Sequence, residues 1–431
     1  MKTILIIISF CFIICSCDLY NSIEIKPPYK AKIIWDSNLY SNYYASHTIN
    51  NDFIYFYERP PGYKYANLYS LTKLDAKTGT MIWRSEEFTD IVFCQPIVIS
   101  NYVYVFLEPN YIVCFDNNTG EWTAMVEINV KDNKDMYPGN LEMEWNVISH
   151  NNYLYMGLNF HGQYFGRFNV NNIIHGNPEI IQEIIPEILW QEDLTQYENR
   201  CYFASLPVVN NNIIYISTSV PNIDVPVELA GFDTNTRQKK FYISFGGSED
   251  GDIPFPEKGG GIGRNPILIH EDILYYLSWS ISAWNLKTGE KIYRHIFDDD
   301  IPEKKRYYST NTLQPIFYKK NIYYTSSASY TPDSYRNIHC IDAATGELAW
   351  NDIAENSVSL HTNLVIAHNR LYVSQYSGLR VYEPETGKLI GVDKTFCGAD
   401  TGRMILYNDY MICLQVNRNT GDAKLVAIDV S

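Results

Sequence analysis

The sequence predicts an all-β chain closed into an eight-bladed β-propeller. Three observations predict it: a short pattern recurring along the 431 residues, a strand pair ahead of each copy, and an N-terminal segment matching the strand that the last copy lacks. Self-similarity at intervals of this kind marks a repeat architecture. Enrichment in tyrosine (36 residues), isoleucine and valine favours strands over helices.

The fullest copy is Leu74-Asp75-Ala76-Lys77-Thr78-Gly79-Thr80-Met81-Ile82-Trp83, which returns as Ile341-Asp342-Ala343-Ala344-Thr345-Gly346-Glu347-Leu348-Ala349-Trp350. Partial copies are Phe115-Asp116-Asn117-Asn118-Thr119-Gly120, Trp284-Asn285-Leu286-Lys287-Thr288-Gly289 and Tyr382-Glu383-Pro384-Glu385-Thr386-Gly387. Phe232-Asp233-Thr234-Asn235-Thr236-Arg237 loses the glycine, Phe168-Asn169-Val170 keeps only the start, and Ile428-Asp429-Val430 is cut by the C-terminus. The chemistry is that of a tight hairpin. The Asp or Asn side chain accepts a turn N–H, the Thr hydroxyl adds a bond, and Gly takes the positive φ that closes a bulged turn.

A strand pair precedes each copy, as in Gln95-Pro96-Ile97-Val98-Ile99 with Val103-Tyr104-Val105, or Asn265-Pro266-Ile267-Leu268 with Ile273-Leu274-Tyr275. Each unit is then four short strands, one propeller blade. Eight positions start the turns: Asp75, Asp116, Asn169, Asp233, Asn285, Asp342, Glu383 and Asp429. Their spacing, roughly 40 to 65 residues, suits one blade plus loop insertions. The eighth copy has no room for its last strand. Lys32-Ile33-Ile34-Trp35 resembles Met81-Ile82-Trp83 and Ile188-Leu189-Trp190, so the N-terminus is expected to complete the final blade. Closure leaves only short protected sheet edges.

Ahead of that strand, Lys2 and an apolar run from Ile4 to Ile14 end in Ile14-Cys15-Ser16-Cys17. The run is too short to span a bilayer and reads as a targeting segment. Its end resembles a bacterial lipobox, which implies cleavage before Cys17 and a diacylglycerol on the Cys17 thiol. The expected organisation is a signal peptide over 1–16, a lipidated tether over 17–29 and the propeller over 30–431. Several acyl chains together make a stable anchor.

The D-x-x-T-G-x-x-x-W pattern resembles the tryptophan-docking motif of the quinoprotein-like (PQQ-repeat) propellers. That family includes pyrroloquinoline-quinone dehydrogenases and the lipoprotein subunit of the outer-membrane β-barrel assembly machine. The resemblance covers the chain from about residue 30 to its end. It implies that Trp83 and Trp350 dock between neighbouring blades. The matching positions hold Ala124, Phe241, Tyr293 and Gly391, so those four seams are expected to pack otherwise. Two residues before the turn, Cys114 and Cys340 share a slot with Gly231, Ala283 and Ala427 and read as small buried residues.

Asp and Glu number 49 against 34 Lys and Arg, a formal net charge of −15. That balance disfavours nucleic acid and bare anionic lipid, both of which need basic patches. The dehydrogenase branch that carries an adjacent Cys-Cys ring finds no such pair here, and no calcium and base set can be traced, so no cofactor is expected. Gly259-Gly260-Gly261-Ile262-Gly263 precedes a strand instead of a helix and reads as a loop, not a phosphate cradle. Ser248–Asp252 reads as a solvated turn, and Asp298–Asp300 with Lys304–Arg306 as a charged surface loop. Candidate binding residues are those at the starts of innermost strands, facing the channel mouth: Gln95, Glu144, Arg264, Asn265, Gln314, His361 and Arg403. The function read from the sequence is a non-catalytic, lipid-anchored envelope propeller that binds a protein partner. The alternative is a PQQ-dependent dehydrogenase.

Overall fold

The computed structural model describes residues 29–431 except 43–46, 60–67, 92–93, 109, 130–141, 144–146, 161, 193–201, 204, 220–226, 246–265, 278–279, 297–307, 311–314, 329–335, 355–363, 376–377, 397, 399–403 and 418–421. The described residues form eight small sheets in a ring, one blade per copy of the motif. Blade 1 runs His47–Asn50, Phe53–Glu58, Leu68–Asp75 and Met81–Thr89 from the innermost strand outward. Blade 2 has Ile97–Ile99, Tyr102–Leu107, Tyr111–Asp116 and Trp122–Ile128, and blade 3 has Ile148–His150, Tyr153–Phe160, Gly162–Asn169 and Glu187–Glu192. Blade 4 holds Val208–Asn210, Ile213–Ser219, Val227–Asp233 and Lys239–Phe245, and blade 5 holds Ile267–His270, Ile273–Leu277, Ser280–Asn285 and Lys291–Ile296. Blade 6 is built from Ile316–Tyr318, Asn321–Ala328, Arg336–Asp342 and Leu348–Ala354, and blade 7 from Leu364–Ala367, Arg370–Gln375, Gly378–Tyr382 and Leu389–Asp393. Blade 8 takes Ile405–Tyr407, Tyr410–Val416 and Asp422–Asp429 from the C-terminus and Ile33–Asn42 from the N-terminus. Trp35 pairs with Ala427 in that last sheet, so the ring closes as expected.

The hydrophobic core is divided into eight clusters, one in each seam between neighbouring blades. Strand alternation sends successive residues into different seams. On Phe53–Glu58, Ile54 and Phe56 face blade 8, while Tyr55 and Tyr57 face blade 2. The third residue of the second strand is tyrosine in seven blades: Tyr55, Tyr104, Tyr155, Tyr215, Tyr275, Tyr323 and Tyr372. Each pairs across the sheet with the slot two residues before the turn, as Tyr104 does with Cys114 and Tyr323 with Cys340. The slot in turn pairs with the outer-strand aromatic, as Cys340 does with Trp350. At Gly231 there is no room for more: a Cβ would lie 2.8 Å from Tyr215 and 3.0 Å from Phe241, whereas Lys73 fills the same slot in blade 1. Cys114 and Cys340 are accordingly fully buried free thiols.

The turn that follows is held as the sequence predicts. Asp75 Oδ1 accepts from the N–H groups of Lys77 (3.0 Å) and Thr78 (2.8 Å), and Asp116, Asp233, Asn285 and Asp342 do the same in their turns. The Thr hydroxyls of Thr119 and Thr345 each accept the N–H two residues on at 3.2 Å. Two of these backbone donors, on Thr236 and Asn235, hold the Asp233 carboxyl below its ordinary value. Gly79, Gly120, Gly289, Gly346 and Gly387 have φ between 69° and 76°, and Arg237 takes the same left-handed conformation at 66°.

The residue after the turn Asp is the hub of each seam. Its N–H donates to the first hairpin of its own blade: Ala76 to Asp52, Asn117 to Asn101, Thr234 to Asn212, Leu286 to Asp272, Ala343 to Lys320 and Val430 to Asp409. Its carbonyl accepts from the preceding blade. Trp83 Nε1 donates to Asn117 O (2.9 Å) and Trp350 Nε1 to Pro384 O (2.7 Å), so both docking roles are confirmed. Trp35 Nε1 donates likewise to Ala76 O at 3.2 Å, a third docked tryptophan, across the closing seam. Each ring lies over the glycine of the next turn: a Cβ on Gly79, Gly120 or Gly387 would lie 2.5–2.6 Å from it.

One seam expected to pack otherwise uses the same device. Tyr293 lies over Gly346, and its hydroxyl donates to Ala343 O at 2.8 Å, where the indole N–H would otherwise reach. The remaining three depart from it. At the 2–3 seam, where the outer strand has Ala124, residues from the segment after Asn169 fill the space, with Ile173 in the core and His175 stacked on Tyr102 at 3.5 Å. At the 4–5 seam Phe241 packs on Tyr215 and has no polar atom to donate. At the 7–8 seam Gly391 leaves room for the N-terminal segment, where Ala31 is buried and Tyr29 packs half-buried beside it. The Ala31 N–H is held there by Asp393 (2.7 Å).

Candidate functional site

The topology separates the two faces of the ring. First-to-second strand connections, and the third-to-fourth connections of blades 1, 2 and 4–7, are tight turns on one face, tied by the hub bonds just described. Second-to-third strand connections and the links between blades all lie at the other. The innermost strands start at this second face, so it carries the expected channel mouth. In blades 3, 4 and 6 an extra short strand continues the inner edge toward it: Glu142–Met143, Tyr202–Phe203 and Tyr308–Thr310 pair with the far ends of Tyr153–Phe160, Ile213–Ser219 and Asn321–Ala328. The second strands of these blades are lengthened to match, which raises the wall of the mouth on that side.

Of the candidate residues, the structure places Gln95, half-buried, two residues ahead of Ile97–Ile99. Glu144, Arg264, Asn265, Gln314, His361 and Arg403 lie outside the described residues, as do Cys17, Cys201, Cys397, the glycine run 259–263, the acidic turn 248–252 and the charged loop 298–306. The sequence reading missed charges at the same face. Glu58 and Arg59 end the second strand of blade 1, and both are buried. Glu58 accepts from Thr72 Oγ1 (2.9 Å) and lies 3.4 Å from Arg84 Nε. Arg59 crosses to Asp422 of blade 8 at 2.6 Å, and its N–H donates to Tyr40 O at 2.8 Å. Arg59 thus helps close the ring, Glu58 is held within its own blade, and each is paired, as a buried ion must be.

Burial shifts a histidine and two phenols. His339, stacked on Tyr324 at 4.8 Å, is pushed down to about 4 by desolvation. Burial raises the hydroxyls of Tyr57 and Tyr324 well above their ordinary value.

A calcium-bound quinone needs a convergent set of oxygen donors beneath a stacking platform. Among the described residues no three His, Cys, Asp or Glu side chains gather to hold a metal. The 431 residues hold no adjacent cysteine pair. Among the described residues that donor set is not formed, and no catalytic step is derived through it.

No family model matches the chain, and no curated protein matches it in sequence. Solved structures do. Quinohemoprotein alcohol dehydrogenase from Comamonas testosteroni is similar with a TM-score of 0.61 at 10% identity, over 93% of this chain and 78% of that one. BamB from Moraxella catarrhalis is similar with a TM-score of 0.53 at 11% identity, over 94% of this chain and 98% of that one. Sqt1 from Saccharomyces cerevisiae gives 0.56 at 11%, over 94% and 100%. Identities this low carry fold and not chemistry. In fold, this chain is an eight-bladed β-propeller, similar in architecture to these solved structures.

Proposed function

We propose that the chain is a non-catalytic, lipid-anchored envelope propeller that binds protein partners through the loop-bearing face and serves in outer-membrane protein assembly. The observation that carries this reading is the asymmetry of the ring. One face is spent on tight turns, cross-tied blade to blade, apart from the excursion of residues 170–186; the other bears the links between blades and the second-to-third strand connections. Binding residues concentrate on loops held by a rigid scaffold. The fold likeness to BamB and the lipobox-like Ile14-Cys15-Ser16-Cys17 support the same reading. Tethering would raise the ring's effective concentration near membrane-embedded partners without new contacts.

The test has three arms. Purified protein is mixed with pyrroloquinoline quinone, calcium and an artificial electron acceptor, then offered alcohols and aldoses. The proposal expects no turnover; stoichiometric quinone binding with turnover would establish the dehydrogenase instead. Cross-linking in the native membrane is expected to capture one envelope protein repeatedly. Metabolic labelling with a fatty-acid analogue is expected to mark the wild type and not Cys17→Ser; equal labelling of both removes the anchor from the proposal.

A further inference from the structure

Between the third and fourth strands of blade 3, residues 170–186 leave their own blade. Ile181–Ile184 pairs in parallel with Met125–Ile128 and becomes a fifth, outermost strand of blade 2. The segment is pinned at both ends of the excursion. His175 stacks on Tyr102 and bonds Thr123 Oγ1 at 3.0 Å, and Asn129 N–H donates to Ile184 O at 2.9 Å. Its inward residues, Gln182 and Ile184, are partly buried, while Ile181 and Glu183 point outward.

The result is an exposed apolar edge. Ile174, Ile180, Ile181, Ile185 and Ile188 are 73%, 59%, 50%, 41% and 39% exposed, five large apolar side chains within fifteen residues. The far edge of Ile181–Ile184 meets no described strand. Natural edges are blunted with lysine; here the stretch from 170 to 186 holds no Lys or Arg and two carboxylates, Glu179 and Glu183. Pro178 and Pro186 bracket the open stretch and keep it short.

We propose that Ile181–Ile184 is a strand-addition site for an extended partner segment that alternates apolar and cationic residues. Main-chain hydrogen bonds supply affinity in such additions, and alternate side chains supply specificity. Charge selects the occupant. A second copy would bring Glu179 and Glu183 against their own kind on a chain of net charge −15, whereas lysine or arginine on the added strand meets them favourably. The chain already demonstrates the mode, since this segment is itself a strand added to the rim of blade 2. The proposal rests on the protein-binding reading but places one contact at the rim, away from the loop-bearing face.

The experiment is fluorescence anisotropy of a labelled peptide of alternating valine and lysine against the purified full chain. Saturable binding is expected. Methylating alternate backbone nitrogens of the peptide should weaken it about tenfold or more, because the edge bonds are lost. The double variant Ile181→Lys/Glu183→Lys should weaken it about as much. If that variant fails to fold, Glu179→Lys, exposed and outside the strand, is expected to weaken binding measurably. Equal binding of the methylated peptide, binding unaffected by these variants, or no binding overturns the proposal. So does dimerisation through this edge in sedimentation, which would give the site to a second copy. Quinone turnover would remove the proposed function and leave this result standing; failure here would leave the loop-face partner untouched.

Discussion

The 6–7 and 4–5 seams are built on the same plan and finished differently. At 6–7, Trp350 covers Gly387 and donates to Pro384 O, and Tyr323 donates to the same carbonyl at 3.1 Å. At 4–5, Phe241 fills the matching position but packs inward with Trp284 and Tyr276, and a Cβ on Gly289 would meet nothing within 4 Å. The turn of blade 5 is as well formed as the others, with its Asn285 bonds intact. The turn and the docking are therefore separable. Asp or Asn, Thr and Gly make the hairpin locally; the ring above the glycine and its bond to the hub carbonyl make the seam.

The largest expected effect separates the two directly. Gly346→Ala would place a Cβ 2.4 Å from the Tyr293 ring in addition to straining a left-handed backbone, and should cost about 3 kcal/mol or more. Gly289→Ala carries only the backbone penalty, about 1 kcal/mol. Equilibrium unfolding in guanidinium compares the two; equal losses would mean that the ring does not matter.

Next comes Tyr293→Phe, which keeps the ring over Gly346 and removes the donor to Ala343 O. It should cost about 1–2 kcal/mol, since a part-buried carbonyl loses its partner. The companion change Phe241→Ala should cost more through lost packing yet leave no acceptor newly orphaned.

Acid probes the well-finished side. His339 lies in blade 6 with a pKa held at about 4 by burial, against an ordinary 6.5. The unfolded chain takes up this proton first as pH falls, so the group's contribution is fully present above about 6.5 and is lost toward about 4. The slope is on the order of 1 kcal/mol per pH unit. Thermal melts across that window should show a shallower decline in His339→Gln than in wild type.

The smallest effect is a gain. Arg237 stands where the other turns have glycine, at φ 66°, and its ion pair with Glu187 at 3.6 Å is exposed. Arg237→Gly should stabilise by up to about 1 kcal/mol.

Blade count, turn chemistry and ring closure were legible in the sequence because each is local. An Asp, a Thr and a Gly at fixed offsets make their bonds within the turn, and the Trp35 strand shows the same apolar run as its counterparts. The recurrent tyrosine of the second strand is equally legible, since it stands two residues into the apolar run that precedes each turn. What the sequence hid is contact between blades. Nothing in Tyr293 announces that a phenol substitutes for an indole, since the equivalence lies in the reach of a donor to Ala343 O. Arg167 hides a related substitution: buried in blade 3, it donates to the hub carbonyl of Thr234 in place of an outer-strand ring. The burial of Arg59 depends on Asp422, over three hundred residues away. The excursion of residues 170–186 onto blade 2 has no periodic signature either, because its four-residue strand pairs with a blade other than its own.

The central claim, that a seam is a ring over a glycine plus a bond to the hub carbonyl, is tested most directly by building the missing half at the 4–5 seam. Unfolding free energies are measured for Phe241→Trp, Gly289→Ala and the double variant. A docked indole would donate to Leu286 O and cover Gly289, so Phe241→Trp should stabilise by about 1 kcal/mol, and Gly289→Ala should become about 2 kcal/mol costlier in its presence. The same cost for Gly289→Ala in both backgrounds, with no gain from the tryptophan, would contradict the account.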